Sequence, residues 1–318
     1  MTDRPVLLLL GRATPRIRER LDDRFEVIEE AGDRAGEVVA LAAGMGAKVG
    51  ADVIDALPAL KVIGNYGVGY DAVDAAHAAE RGVIVTHTPN VLNDEVANTA
   101  ILLLLAADRR LVEFDAYVRD GRWEGEGAAP LTRGLRGRTV GIVGLGRIGL
   151  AIADKLAAAF GATILYHSRS EKDAPYGYRA DLIAMARECD ALIVVTPGGP
   201  ETRHLVGRDA MEALGPDGTL VNVARGTVVD EEAMIDLLAS GALGRAGLDV
   251  FEEEPRVPKA LRDLPNTVLL PHVGSATEET RAAMGDLMCA GIEDVIDGRR
   301  PEAPVPEARG LEEELAPR

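Results

Sequence analysis

The chain predicts an α/β fold of two Rossmann-like domains, the second inserted into the first, and three observations lead there. Its 318 residues exceed a single typical compact core. Short apolar strands alternate with helical patches along nearly the whole length, the pattern of parallel strands joined by helical crossovers. The run VGIVGLGRIG at Val140–Gly149, a buried strand breaking into a glycine-rich turn that opens a helix, starts so far along the chain that a separate piece of structure must precede it.

In the first hundred residues the strands are Val6–Leu10, Val38–Ala40, Val62–Gly64 and Val83–Thr86, the last two separated by a helix at Asp71–Arg81. Asn93–Arg110 reads as a long helix, apolar all round at Leu102–Leu105 and therefore buried. Asp120–Arg138 is polar and rich in glycine, and it carries the only tryptophan, Trp123. From Thr139 the βα pattern repeats: helix Ile148–Phe160, strand Thr163–His167, helix Ala180–Glu188, strands Ala191–Val195 and Thr219–Val223, helix Glu231–Leu238, and strands Arg245–Leu248 and Val268–Leu270. A last helix, Glu278–Asp297, precedes a Pro- and Glu-rich tail from Pro301 whose composition predicts little independent order. A chain that crosses out of one domain, completes the other and returns to cap the first accounts for the mid-chain fingerprint. Residues 1–98 and 288–318 then form one domain and 99–287 the other, with a hinge at crossings near Asn98 and Met288.

The net charge of −17, from 52 acidic and 35 basic residues, argues against binding nucleic acid or anionic membrane surfaces. The opening apolar run Val6–Leu10 is too short for a signal-peptide core or a membrane span. Cys189 and Cys289 show no metal or disulfide spacing and read as packed thiols, so no metal is expected and the cytoplasm is the expected compartment.

Within the fingerprint, Gly144 makes the tight turn, Gly146 lets the backbone approach a pyrophosphate, and Gly149 permits close helix–strand packing. Leu145, Arg147 and Ile148 complete the turn, and Arg147 adds charge beside the phosphates at the helix N-terminus. About 20 residues on, where an acid usually bonds the ribose hydroxyls, the strand ends instead in His167, Ser168 and Arg169. A guanidinium fork with an adjacent hydroxyl suits a 2′-phosphate, which an acid would repel. NADP(H) is therefore the preferred cofactor, with NAD(H) possible, and His167 reads as a neutral residue at the rim.

Arg225 in VNVARGTVVD, Glu254 in GLDVFEEEP and His272 in LLPHVGSAT each lie just beyond an apolar strand, where ligands bind in open α/β sheets. Taken singly, Arg225 reads as a surface cation, Glu254 as part of an acidic run and His272 as a satisfied histidine after Pro271. Together they fit reduction of a 2-oxo acid: a cation for the carboxylate, a proton donor for the developing alkoxide, and a carboxylate that favours the donor's acidic form.

With GLGRIG, VNVARGTVVD, LDVFEEEP and LLPHVGSAT in this order, the chain resembles the D-isomer-specific 2-hydroxyacid dehydrogenase family over nearly its whole length. The resemblance implies a nucleotide-binding domain inserted into a flavodoxin-like substrate domain. It also implies Arg225 as substrate anchor, His272 as acid/base, Glu254 as its partner and Asp249 beside the nicotinamide carboxamide. Thr196 and Pro197 would line the adenosine side and Val223 and Ala224 the nicotinamide side. NYGVGYDAVD resembles the family's substrate loop, which implies that the N–H groups of Val68 and Gly69 bind the substrate carboxylate. Asn98 stands where relatives commonly have an acid and receives no catalytic role. Tyr66, Trp123 and Met288 read as core or rim packing. Within the family the Ser-Arg pair looks most like NADPH-dependent glyoxylate/hydroxypyruvate reductases, including hydroxyphenylpyruvate reductases. A homodimer through the nucleotide domains and Leu111–Trp123 is expected. The alternatives are an NAD-linked enzyme for a larger 2-oxo acid such as an arylpyruvate, and a nucleotide-sensing binding protein like the corepressors that share this fold.

Overall fold

A computed structural model of the chain describes residues 4–317. It divides into two compact units, one formed by the chain up to Leu92 and again from Ala276, the other by Asn93–Ser275.

The first unit begins with β1 (Val6–Leu10), α1 (Pro15–Arg24), β2 (Glu26–Ile28), β3 (Val38–Ala43), α2 (Ala51–Asp55), β4 (Val62–Asn65), α3 (Ala75–Glu80) and β5 (Ile84–Thr86). The strands form a parallel sheet in the order β2-β1-β3-β4-β5. This is the flavodoxin-like order. Such strands are covered on both faces, which is why β3 and β4 read as continuous apolar runs. The helix expected from Asp71 starts only at Ala75, because the Asp74 carboxylate accepts the His77 N–H at 3.1 Å and caps it.

The second unit contains α4 (Asn93–Asp108), α5 (Leu111–Arg119), α6 (Arg122–Glu126), β6 (Thr139–Val143), α7 (Arg147–Phe160), β7 (Thr163–His167), β8 (Gly177–Tyr178) and α8 (Leu182–Glu188). It continues through β9 (Ala191–Val194), α9 (Arg208–Leu214), β10 (Thr219–Asn222), α10 (Glu231–Ser240), β11 (Arg245–Leu248), α11 (Lys259–Arg262) and β12 (Thr267–Leu269). Its parallel sheet runs β12-β11-β10-β9-β6-β7-β8. The winding reverses between β6 and β9, which opens a crevice at the carboxyl ends of those strands. Behind the sheet, α4 packs on β10, β11 and α7 and buries Leu103 and Leu104 completely. At its last residue, buried Asp108 pairs with Arg138 and accepts the Thr219 hydroxyl at 2.6 Å, tying the helix to the amino ends of β6 and β10.

The chain then re-enters the first unit as α12 (Glu278–Ile296), which lies on β3, β4 and β5 and buries Met284, Met288 and Ile292. Two expectations are corrected here. The crossings fall at Leu92/Asn93 and Ser275/Ala276 rather than near Asn98 and Met288, since both of those residues lie inside helices that pack as whole bodies. The tail is also ordered: His87 N–H donates to Ala303 and Val305 N–H to Val85, while Val305 and Ala308 are buried. Composition predicts only independent order, and this segment borrows the edge of β5.

Candidate active site

In the second unit the crevice is bounded by the turn after β6. Gly144 has φ +103°, and a Cβ there would lie 2.8 Å from the Thr196 amide nitrogen. A Cβ on Gly149 would lie 2.2 Å from the Gly144 carbonyl oxygen, so both positions exclude larger residues. Helix α7 begins at Arg147, one residue before the expected Ile148, with Gly146 as its cap and no side chain on the cap position. Space is open beside Gly146. Uncapped N–H groups facing an open cradle are the fit a pyrophosphate requires. Leu145 is buried behind the turn, and the His167 carbonyl accepts the Gly144 N–H at 2.9 Å while the His167 ring contacts the Arg179 carbonyl at 3.1 Å. Ser168 and Arg169 follow at the crevice edge, Arg169 being 92% exposed. Across the turn, Pro197 is held by the Thr202 hydroxyl at 2.7 Å.

The three residues singled out for acid/base and anchoring chemistry are brought together at the carboxyl ends of β10 and β11 and in the turn after β12. Asn222 closes β10, and its amide accepts the Ala224 N–H and donates to the Arg225 carbonyl, both at 3.0 Å. That strap forces the chain outward at Arg225 and leaves Val223 and Ala224 buried beneath. Gly226 then passes so close to the Phe251 backbone that a Cβ would lie 1.9 Å from its carbonyl carbon. Only glycine can follow Arg225 here.

His272 has φ +55°, a left-handed conformation uncommon for a non-glycine residue, and Asp249 holds it there. The Asp249 carbonyl accepts the His272 N–H at 2.9 Å, and its buried carboxylate accepts Val273 and Gly274 N–H groups, each at 2.7 Å. Burial pushes the Asp249 carboxyl up from its ordinary range, against those two hydrogen bonds. The His272 ring places Nδ1 2.7 Å from the Glu254 carboxylate, whose other oxygen accepts the Phe251 N–H at 3.0 Å. Burial tends to raise the Glu254 carboxyl, but the His272 hydrogen bond and charge, the Phe251 N–H and the Arg225 charge outweigh it and leave it below the usual carboxylate range. Arg225, Glu254 and His272 are thus one electrostatic group.

The first unit holds the second candidate element. Every carbonyl of the loop Gly67–Gly69 is tied back: Gly67 and Gly69 accept from the buried Asn65 amide at 3.1 and 3.0 Å, Gly67 also from Thr88 N–H, and Val68 from the His87 ring at 2.9 Å. Among the described residues the Val68 and Gly69 N–H groups have no acceptor. Successive N–H groups left facing outward make a nest for an anion. Asn65, Asn222 and His87 were not picked out from sequence, although Asn65 and Asn222 share a readable signal: an asparagine ending an apolar strand ahead of a glycine-containing turn. Asn98 is exposed and donates to Glu95 at 3.3 Å. Tyr66 and Met288 are buried, whereas Trp123 is 61% exposed.

Residues 101–274 match the family model of the D-isomer specific 2-hydroxyacid dehydrogenase NAD-binding domain. The chain is 43% identical over 309 residues to hydroxyphenylpyruvate reductase of Plectranthus scutellarioides, covering 94% of this chain and 98% of that protein. It is 48% identical over 262 residues to glyoxylate/hydroxypyruvate reductase A of Arabidopsis thaliana, covering 81% and 83% of the two. Its fold superposes with a TM-score of 0.91 on the NADPH-dependent glyoxylate/hydroxypyruvate reductase of Sinorhizobium meliloti in complex with NADP and malonate, at 44% identity and 99% coverage of both chains. The fingerprint, the Arg/Glu/His group and these similarities agree, and the chain belongs to the D-isomer-specific 2-hydroxyacid dehydrogenases, a family of NAD(P)-dependent oxidoreductases.

Proposed function

We propose that this protein reduces small 2-oxo acids, glyoxylate or hydroxypyruvate, to D-2-hydroxy acids with NADPH as its preferred reductant. The observation that carries the reading is the His272–Glu254 pair at 2.7 Å within the field of Arg225. Bound reduced nicotinamide supplies the hydride. Arg225 holds the substrate carboxylate and polarises the carbonyl, and the outward N–H groups of Val68 and Gly69 are suited to bind a carboxylate. His272 keeps Nδ1–H on Glu254, so Nε2 delivers its proton to the carbonyl oxygen as the carbon accepts the hydride. Gly144, Leu145, Gly146, Arg147, Ile148 and Gly149 would hold the cofactor, with Thr196 and Pro197 lining its adenosine side and Val223, Ala224 and Asp249 its nicotinamide side. Ser168 and Arg169 receive the 2′-phosphate, with His167 at the rim.

NADPH consumption across glyoxylate, hydroxypyruvate and hydroxyphenylpyruvate tests the reading. Turnover with the aryl acid alone would shift it to the arylpyruvate alternative, which the Plectranthus relative supports. No turnover of any 2-oxo acid, with nucleotide still bound, would favour a binding protein. Arg169→Ala is expected to raise the Kd of NADPH roughly tenfold, the loss of about one charge-assisted hydrogen bond, and to leave NADH unchanged. Equal weakening of both nucleotides would contradict a phosphate contact.

The reading includes a homodimer in the cytoplasm. Leu111, Val112, Val118 and Trp123 stay more than half exposed on α5 and α6, the segment expected to form the contact. The thiols Cys189 and Cys289 are free and buried, which suits a reducing compartment. Among the described residues no helix is long and apolar enough to cross a membrane.

A further inference from the structure

The loop after β7 is more organised than its exposure suggests. Tyr166 on β7 is fully buried, and its hydroxyl grips both backbone groups of one residue, accepting the Lys172 N–H at 2.8 Å and donating to the Lys172 carbonyl at 3.2 Å. Tyr178 on β8 packs against the Tyr166 ring at 5.4 Å and donates its own hydroxyl to the Ser168 carbonyl at 3.3 Å. The Ser168 hydroxyl donates to the Ser170 carbonyl at 2.6 Å, and the Lys172 ammonium to the Ser170 hydroxyl at 3.3 Å.

The consequence is chemical. Three carbonyls of the segment, those of residues 168, 170 and 172, are each engaged by a hydroxyl, so none is left as an unsatisfied acceptor beside an incoming anion. What the segment leaves at the surface includes two cations, Arg169 and Lys172, with the Lys172 ammonium on the Ser170 hydroxyl. The acids nearby compete weakly: Arg169 meets Glu201 only at 3.5 Å, with the two side chains 92% and 81% exposed, and Glu171 is exposed to solvent. A phosphate monoester close to its dianionic form, a charge of about −1.5 to −2 near neutrality, calls for more than one cation.

We propose that Lys172 is a further ligand of the nucleotide 2′-phosphate, beside Ser168 and Arg169, and that Tyr166 is the positioning residue that holds it. This rests on the NADPH preference proposed above. A single buried hydroxyl fixes the backbone from which the lysine reaches, so the ordering entropy of the cation loop is met during folding instead of on binding. Lys172 comes three residues after Arg169, outside the Ser-Arg pair at the strand end, and Tyr166 touches no ligand.

Titration of the cofactor-free full-length protein with NADPH and with NADH, followed by nicotinamide fluorescence, tests both assignments. Lys172→Met is expected to raise the Kd of NADPH by roughly three- to tenfold, the worth of an exposed charge-assisted contact, and to leave NADH within about twofold. Lys172→Arg restores most of the difference. Tyr166→Phe keeps the ring packing and removes the grip, and is expected to weaken NADPH by roughly threefold without moving NADH. A merely structural tyrosine would lower Tm or weaken both nucleotides together. Unchanged NADPH binding in Lys172→Met, or equal loss of both nucleotides in Tyr166→Phe, overturns the proposal. If wild-type protein binds NADH as tightly as NADPH, the NADPH reading itself fails. If wild type prefers NADPH and Arg169→Ala abolishes that preference while Lys172→Met has no effect, only the present proposal falls.

Discussion

Replacing His272 by alanine is expected to lower kcat for 2-oxo acid reduction by roughly 10²- to 10⁴-fold, the usual worth of a positioned general acid, while NADPH binds as before. The expectation follows from how much of the surroundings serves this one ring. Its backbone occupies φ +55°, and Asp249 holds that turn through one carbonyl and two carboxylate hydrogen bonds. Glu254 engages Nδ1 at 2.7 Å and leaves Nε2 as the ring nitrogen free to pass a proton to substrate. Because the folded Glu254 carboxyl lies below its ordinary value, the contribution of the ion pair is complete above the usual carboxylate range and is lost as pH falls through the lower, folded value. The wild-type kcat/KM profile for reduction should accordingly show no acid limb until pH falls below that ordinary range. Retention of full turnover in His272→Ala would remove His272 from the chemistry. An alanine variant that also lost NADPH binding would point to collapse of the turn instead.

Much of this candidate site was legible because the residues proposed for its chemistry sit where apolar runs end. Strand residues buried on both faces leave continuous hydrophobic stretches, and the first polar residues after them mark the ligand side of the sheet. Arg225, Glu254 and His272 stand out on that basis, and Gly144 and Gly149 of the fingerprint do so because their neighbours leave no room for a Cβ. The supporting groups were hidden for a physical reason. Asn65, Asn222 and Tyr166 act on backbone atoms of residues two to six positions away, and a side chain that bonds to backbone leaves no partner type in the sequence to recognise. The three share a logic: each sits at or near the carboxyl end of a parallel strand and pulls the polar backbone of the next loop inward, so that N–H groups or cationic side chains face out.

The crossings between units were misplaced for a different reason. Helical periodicity in α4 and α12 states that one face is buried without stating against which sheet, and both helices are apolar over much of their circumference. In α12, Gly285 already packs against Ile17 of the first unit, ahead of the expected crossing at Met288, and Met288 and Ile292 continue that packing over Gly64. The tail escaped notice because Val305 and Ala308 are too few to raise a compositional window, although they are enough to dock a segment that already pairs with β5.

The largest stability effect should come from the opposite end of the nucleotide-binding sheet. Asp108 is 1% exposed at the carboxyl end of α4, where a lone acid would oppose the helix dipole, and it is tolerated because the Arg138 guanidinium, itself only 10% exposed, closes on it. The second Asp108 oxygen accepts the Thr219 hydroxyl at 2.6 Å, so one carboxylate joins α4 to the first residues of β6 and β10. Asp108→Ala leaves a nearly buried arginine with only the Asp190 carbonyl at 3.5 Å and a longer Asp190 carboxylate contact at 3.7 Å. Breaking a buried pair from one side costs about 3–5 kcal/mol, and the residual Asp190 contacts favour the lower end. For a unit of this size each kcal/mol moves Tm by roughly 2–4 °C, so calorimetry should record a fall of about 6–12 °C. Asp108→Asn keeps an acceptor for Thr219 and should fall between alanine and wild type. Turnover measured well below the transition should stay near wild type in both variants, because the clamp lies at the amino ends of the strands and the acid/base group at their carboxyl ends. A Tm within about 2 °C of wild type for Asp108→Ala, well inside the fall expected for a broken buried pair, would show that Arg138 finds adequate partners elsewhere and that the pair contributes little.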